Sequence, residues 1–208
     1  MGWLENVLIE DKEVDNERLE LTDRDSLYFL GPNLTLRHCT LVLKVSSKRL
    51  HILAGARFMN CTFEVKQELK NHDWSRAFLV GCQFFGRLSG CDFGYRYPQT
   101  SGREHGGIEA CDFSEALLDG CRVHGCDTST LKFPRWPCFT FLDPIERAPE
   151  LRRVKWPERF GSVIVEELHT HPPSTKALTY HAPSVARRMG TTEEQLRAVI
   201  EKFDCIVY

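Results

Sequence analysis

The side chains able to do chemistry fall into four groups. Nine cysteines and eight histidines in 208 residues invite a thiolate–imidazole nucleophile or a metal centre. His169-Thr170-His171, with His181 further on, offers imidazole ligands, and His124 stands two residues before Cys126. Asp112, Asp119 and Asp127 recur at close spacing, the kind of carboxylate set that does acid–base work on a polysaccharide. Arg187, Arg188, Arg197 and Lys202 crowd the C-terminus, where two short helices could meet a nucleic-acid groove.

Each group lacks something its chemistry needs. No Cys-x-x-Cys pair exists, and no carboxylate or thiol sits at a ligand-like offset from His169, His171 and His181. The C-terminal cations share their segment with Glu193, Glu194, Glu201 and Asp204, which cancel them, so nucleic acid is not the expected partner. There is no Gly-rich phosphate loop, Gly-x-Ser-x-Gly or His-Glu-x-x-His. No catalytic residue, metal ligand or cofactor is therefore assigned, and metal binding by the three histidines stays open. The protein is expected not to be an enzyme.

The elements that carry these residues explain most of them. Cut every five residues from Cys111, the sequence reads CDFSE ALLDG CRVHG CDTST LKFPR. Compact apolar residues stand first in each block and larger ones third: Phe113, Leu118, Val123, Thr128 and Phe133. Helices repeat at three and four residues and strands at two, so a period of five is neither. The phrase returns upstream around Cys39, Cys61, Cys82 and Cys91, with Phe63, Phe84 and Phe93 in third place. Extra blocks start at Leu34, Ala56 and Ala77. Steps of 22, 21, 20 and 10 residues (39 to 61, 61 to 82, 91 to 111, 111 to 121) describe coils of about twenty residues that stack as a solenoid. A four-sided coil places the third residue of each side on the axis and the first near a corner. Cys39, Cys61, Cys82, Cys91, Cys111, Cys121 and Cys126 are then buried small hydrophobes, not reagents.

These blocks resemble the pentapeptide-repeat family, whose consensus is Ala-(Asp/Asn)-Leu-X-X with Cys common in first place. CDFSE, ALLDG, CRVHG and CDTST match consecutively, AFLVG with CQFFG forms a second run, and clear matches cover residues 77–133. The resemblance implies a mainly β fold, a right-handed four-sided β-helix, and a structural role for Asp in second place. Departures lie at residues 87–90, which are one short, in a loop over 95–107, and in longer sides over 46–55 and 65–75.

The expected division is a β-helix with N-terminal cap strands over residues 1–145 and an appendage over 146–208, holding a short strand around Val163-Ile164-Val165 and a helical hairpin. Aromatics after residue 132 (Phe133, Trp136, Phe139, Phe141) are expected to plug the last coil. Ser184 is expected to cap a first helix that Gly190 ends, and Thr192 with Gln195 to form a capping box for a second. The N-terminus lacks a basic region followed by an apolar run, and no stretch approaches eighteen apolar residues. A cytoplasmic protein with reduced thiols, off the membrane, is expected. Net charge is −2, split as −6 over residues 1–30, +3 over 31–145 and +1 over 146–208.

A rigid scaffold without catalytic residues suits protein binding. Small bacterial proteins that join degenerate repeats to a short tail look like immunity or antitoxin proteins, so a cognate toxin or effector is the expected partner. The alternatives are a DNA-associated regulator using the C-terminal helices and a β-helix carbohydrate-active enzyme. Contact residues are sought among aromatics and arginines: Trp74, Tyr95, Arg96, Tyr97, Arg103, Arg152, Arg153, Trp156 and Arg159. The hairpin at 184–203 is able either to join two copies as a homodimer or to fold back as a cap.

Overall fold

A computed structural model describes residues 5–96 and 106–208 of the chain. Strand accounts for 42% and helix for 21%, and parallel strands stack as a β-solenoid of about four turns with helices near the C-terminus.

The first coil consists of β1 (Glu5–Ile9), β2 (Lys12–Asp15) and β3 (Arg18–Leu21), and the second of β4 (Ser26–Leu30), β5 (Leu34–Arg37) and β6 (Thr40–Leu43). β7 (Leu50–Ile52), β8 (Arg57–Met59) and β9 (Thr62–Lys70) form the third, with a 3₁₀ turn at Ser47–Arg49 leading in. β10 (Phe78–Val80) and β11 (Gln83–Ser89) follow, then β12 (Asp92–Gly94), β13 (Gly107–Glu109), β14 (Ala116–Asp119) and β15 (Cys121–His124). Equivalent strands pair in parallel and build the sheets β1-β4-β7, β2-β5-β8-β10-β13 and β3-β6-β9-β11-β14.

From residue 56 on, inward residues fall mostly every five, with a step of six from Phe63 to Leu69 and of four from Phe84 to Leu88. Phe58, Phe63, Leu69 and Trp74 occupy one coil, Leu79, Phe84, Leu88 and Phe93 the next, then Ile108, Phe113, Leu118 and Val123, all buried. β9 and β11 each turn a corner and serve two sides. Gly86 makes that corner in β11: its φ is +97°, and a Cβ there would overlap the Val65 carbonyl oxygen of the coil before. The axis is a file of rings in which Phe63, Phe84 and Phe113 stack with centroids 4.7 and 4.8 Å apart.

The cysteines stand in two files, which changes the repeat arithmetic. The thiols of Cys61, Cys82 and Cys111 donate to the carbonyls of Leu36, Phe58 and Leu79, each in the preceding coil. Those of Cys91, Cys121 and Cys138 donate to Leu69, Leu88 and Leu118 at another corner. Cys91 and Cys111 are thus not equivalent; the true steps are Cys82 to Cys111 and Cys91 to Cys121, lengthened by the extra residues that follow Arg96 in the sequence. Cys138, which the block pattern leaves out, continues the second file. Cys126 is only half-buried, and its block breaks the pattern: Thr128–Thr130 is a 3₁₀ turn capped by Asp127, and Thr128 is half-exposed. Burial pushes the Cys121 and Cys138 thiols up, and that of Cys126 to about 11, so these sulfurs stay protonated donors.

The C-terminal part has its own core. β16 (Cys138–Leu142), α1 (Pro144–Leu151), β17 (Thr175–His181), α2 (Ala182–Met189), α3 (Glu193–Ile200) and β18 (Ile206–Val207) enclose Phe139, Phe141, Trp156, Phe160 and Leu196. Phe133 covers the solenoid axis as expected, but Phe139 and Phe141 face this second core, which begins ahead of residue 146. No strand forms at Val163-Ile164-Val165; residues 161–170 are helical, and the strand is β17. β17 pairs antiparallel with β15 and β16 and so welds the two cores. Gly190 ends α2 at φ +74° and Thr192 caps α3 with Gln195 as expected, whereas Ser184 lies inside α2, which starts at Ala182. α2 and α3 fold back on the chain's own second core.

Candidate functional site

The expected contact residues separate once placed. Trp74 is fully buried on the solenoid axis and Trp156 is buried in the second core, its Nε1 donating to the Leu151 carbonyl at 2.7 Å. Neither is available to a partner. The polar neighbours of Trp74 concealed that it stands five residues after the inward Leu69. Tyr95 and Arg96 are half-buried: the Tyr95 amide donates to the His124 carbonyl at 3.0 Å, and Ser174 Oγ donates to the Arg96 carbonyl at 2.6 Å. Tyr97 and Arg103 lie outside the described residues. Arg152 is occupied by the Glu166 carbonyl, 2.7 Å away. Arg153 and Arg159 are exposed.

The chemical candidates are drawn into structural work. Asp112 and Asp127 each accept from the amide two residues on, at Ser114 and Ser129, both at 2.9 Å. His169 Nδ1 is 2.7 Å from the Glu166 carbonyl, and His181 Nδ1 is 2.8 Å from Ser184 Oγ. Among the described residues no three His, Cys, Asp or Glu side chains form a metal-binding group. Asp92 receives Arg122 Nε at 2.6 Å and the fully buried His124 Nε2 at 2.9 Å, while His124 Nδ1 meets Thr175 Oγ1 of β17 at 3.2 Å. Burial raises the Asp92 carboxyl, but hydrogen bonds from His124 and Arg122 outweigh it and hold the group below its ordinary value. That network locks the last coil to β17.

A concavity built from paired charges lies where α2 crosses the solenoid. It is a cleft of about 530 Å³ lined by Glu68, Lys70, Arg87, Asp119, Arg187 and Arg188, among others. β9 and β11 supply Glu68, Lys70 and Arg87, the end of β14 supplies Asp119, and α2 supplies both remaining arginines. Glu68 accepts from Arg87 Nε at 3.0 Å and from Ser89 Oγ at 2.6 Å. Arg87 Nη2 reaches Ser184 Oγ at 3.1 Å, tying strand to helix. The buried Asp119 accepts both Nη groups of Arg188, at 3.0 and 3.3 Å, and the His181 amide at 3.3 Å. Arg187 is exposed and has no ion pair among the described residues. The cleft therefore holds two guanidinium groups in fixed orientation beside that of Arg187, whose fork is left to receive a carboxylate bidentately.

The repeat pattern gave no hint of this cleft, because its cations come from three distant segments. Asp119→Asn should cost about 2 kcal/mol, since it removes a buried acceptor of charged hydrogen bonds. Urea unfolding would report the loss, and faster amide exchange confined to 182–189 would show that α2 is the part released.

No protein-family model matches the chain, and no curated protein matches it. No helix among the described residues is long and apolar enough to cross a membrane.

Proposed function

We propose that this protein is a non-enzymatic scaffold that binds another protein in the cytoplasm, of the immunity or antitoxin type that neutralises a toxin or effector. The cleft beside α2 carries the reading. Its arginines are oriented by Glu68, Asp119 and Ser184 before any partner arrives, so little side-chain entropy is lost on docking. Arginine is also among the residues that dominate binding energy at interfaces. The five-residue blocks CDFSE, ALLDG and CRVHG support a place among pentapeptide-repeat proteins, whose stacked sides keep outward residues free to vary.

The test is functional. Tagged protein is used to capture a partner from native lysate, and that partner is expressed alone and together with this chain. Growth arrest by the partner alone, relieved by co-expression, is the expected result. Arg187→Glu should weaken the complex about tenfold, or roughly 1.4 kcal/mol. A partner that is harmless alone, or whose toxicity this chain leaves untouched, would sink the proposal. DNA that elutes as salt rises would replace it with the regulatory alternative.

A further inference from the structure

A second cleft opens on the flank of the earlier coils. It measures about 550 Å³, and Arg24, Lys44, Arg49 and Lys66 line it against one carboxylate, Asp25. Coil stacking produces this concentration. Leu21, Leu43, Val65 and Gly86 stand side by side in the ladder, so the residues that follow them, Thr22, Lys44, Lys66 and Arg87, turn the same corner in successive coils. Lys44 and Lys66 thus follow one another at about one strand spacing, roughly 4.8 Å, while Arg87 lies at the register shift of the next strand, opposite the stretch 66–68. Like charges directly opposite on neighbouring strands destabilise a sheet. Glu64 and Glu68 relieve part of the repulsion by pairing with Lys66 at 2.9 Å and Arg87 at 3.0 Å. Arg24 and Lys44 have no ion pair among the described residues. Arg49 goes further, because its Nη1 is buried with no hydrogen-bond acceptor, a costly state for a charged donor.

β9 joins this cleft to the one beside α2. Lys66 lines the first and Glu68 and Lys70 the second, so one basic flank runs from Arg24 to Arg188. We infer that this flank is the docking surface for an acidic protein segment, whose carboxylates seat over Lys44 and Lys66 and reach the buried Nη1 of Arg49. The inference rests on the reading that the partner is a protein. One observation favours polypeptide over nucleic acid. Neither cleft has an aromatic ring in its lining on which bases could stack.

The probe is a fluorescein-labelled octaglutamate peptide, followed by polarisation at low and high salt. A thymidine oligonucleotide with eight phosphates serves as the charge-matched rival. The peptide should bind at low salt, release as salt rises, and outbind the oligonucleotide. Arg24→Glu with Lys44→Glu should weaken it by at least about tenfold, because both charges reverse at the site. Arg153→Glu with Arg159→Glu changes net charge equally on the exposed C-terminal segment and should leave binding within about twofold. Equal weakening in both double variants would reduce the effect to net charge and overturn the assignment. So would absence of peptide binding at low salt, or tighter binding of the oligonucleotide. All four substituted residues are exposed and none has an ion pair among the described residues, so folding is checked by circular dichroism alone. Growth rescue by the full chain is scored separately, so failure here and failure of the toxin reading are told apart.

Discussion

Trp74→Ala should be the most damaging single substitution in the solenoid, lowering stability by about 3–5 kcal/mol. Folding free energies are only about 5–15 kcal/mol, so such a loss leaves the chain near its unfolding threshold. The indole is wholly buried, and four rings surround it on the axis. Phe93 of the next coil stacks on it at 6.0 Å and 6°, while Phe63 and Phe84 meet it edge-on at 5.1 and 5.6 Å, and His72 at 4.9 Å. Removing it opens a cavity shared by two coils, and each coil is held only by its neighbours. The indole Nε1 has no acceptor in this position, so Trp74→Phe gives up ring volume but also relieves a buried unsatisfied donor. We expect that variant to lose only about 1 kcal/mol. The urea midpoint at constant slope measures both. A loss for Trp74→Ala no larger than that for Trp74→Phe would place the ring outside the axis.

Acid should destabilise the fold through the neighbour of that ring. His72 stands in register with Cys91 and Cys121: the Asp92 amide donates to the His72 carbonyl at 3.1 Å and the Arg122 amide to the Cys91 carbonyl at 2.9 Å. An imidazole thus takes the position that the next two coils give to thiols. It is 5% exposed, and burial pushes it down to about 4 from 6.5, with Asp73 pulling up and His51 pushing down more weakly. The folded-state value is depressed, so between pH 6.5 and pH 4 the unfolded chain binds a proton that the folded chain refuses. Stability from this group is complete above pH 6.5, falls as pH drops to about 4, and changes no further below that. The loss across the window is roughly 3 kcal/mol. His171 and His181, also held low by burial, add to the same slope. His72→Cys, which extends the thiol file, should flatten most of it while keeping the fold at neutral pH. An unchanged slope in the variant would mean that another group is responsible.

How far the residue pattern reached can be judged at these two positions. Five-residue spacing from Leu69 lands on Trp74, and from Gly86 on Cys91, so the inward set was legible wherever counting was not interrupted. The insertion after Arg96 broke the count, which is why Cys91 and Cys111 looked equivalent although their thiols answer to carbonyls at different corners. Trp74 was misplaced for a different reason. The polar residues around it suggested a surface turn, but Asn71 at φ +53° turns the corner and Asp73 caps the next with the Ser75 amide at 2.8 Å. Those side chains hold the backbone at a solenoid corner while every fifth residue still points inward.

The amino-acid order by itself determined the solenoid, its ring-filled axis, the buried places of most of its thiols and the caps of α2 and α3 at Gly190 and Thr192. Each depends on contacts at a fixed short separation, or on a residue type that one backbone geometry demands. Only the tertiary structure decided that β17 returns antiparallel to close the last coil and that Asp119 meets Arg188. It also decided that Lys44, Lys66 and Arg87 share one flank. These pairings join residues whose separation follows no period, and they are selected by which surfaces remain to be buried after the coils have stacked.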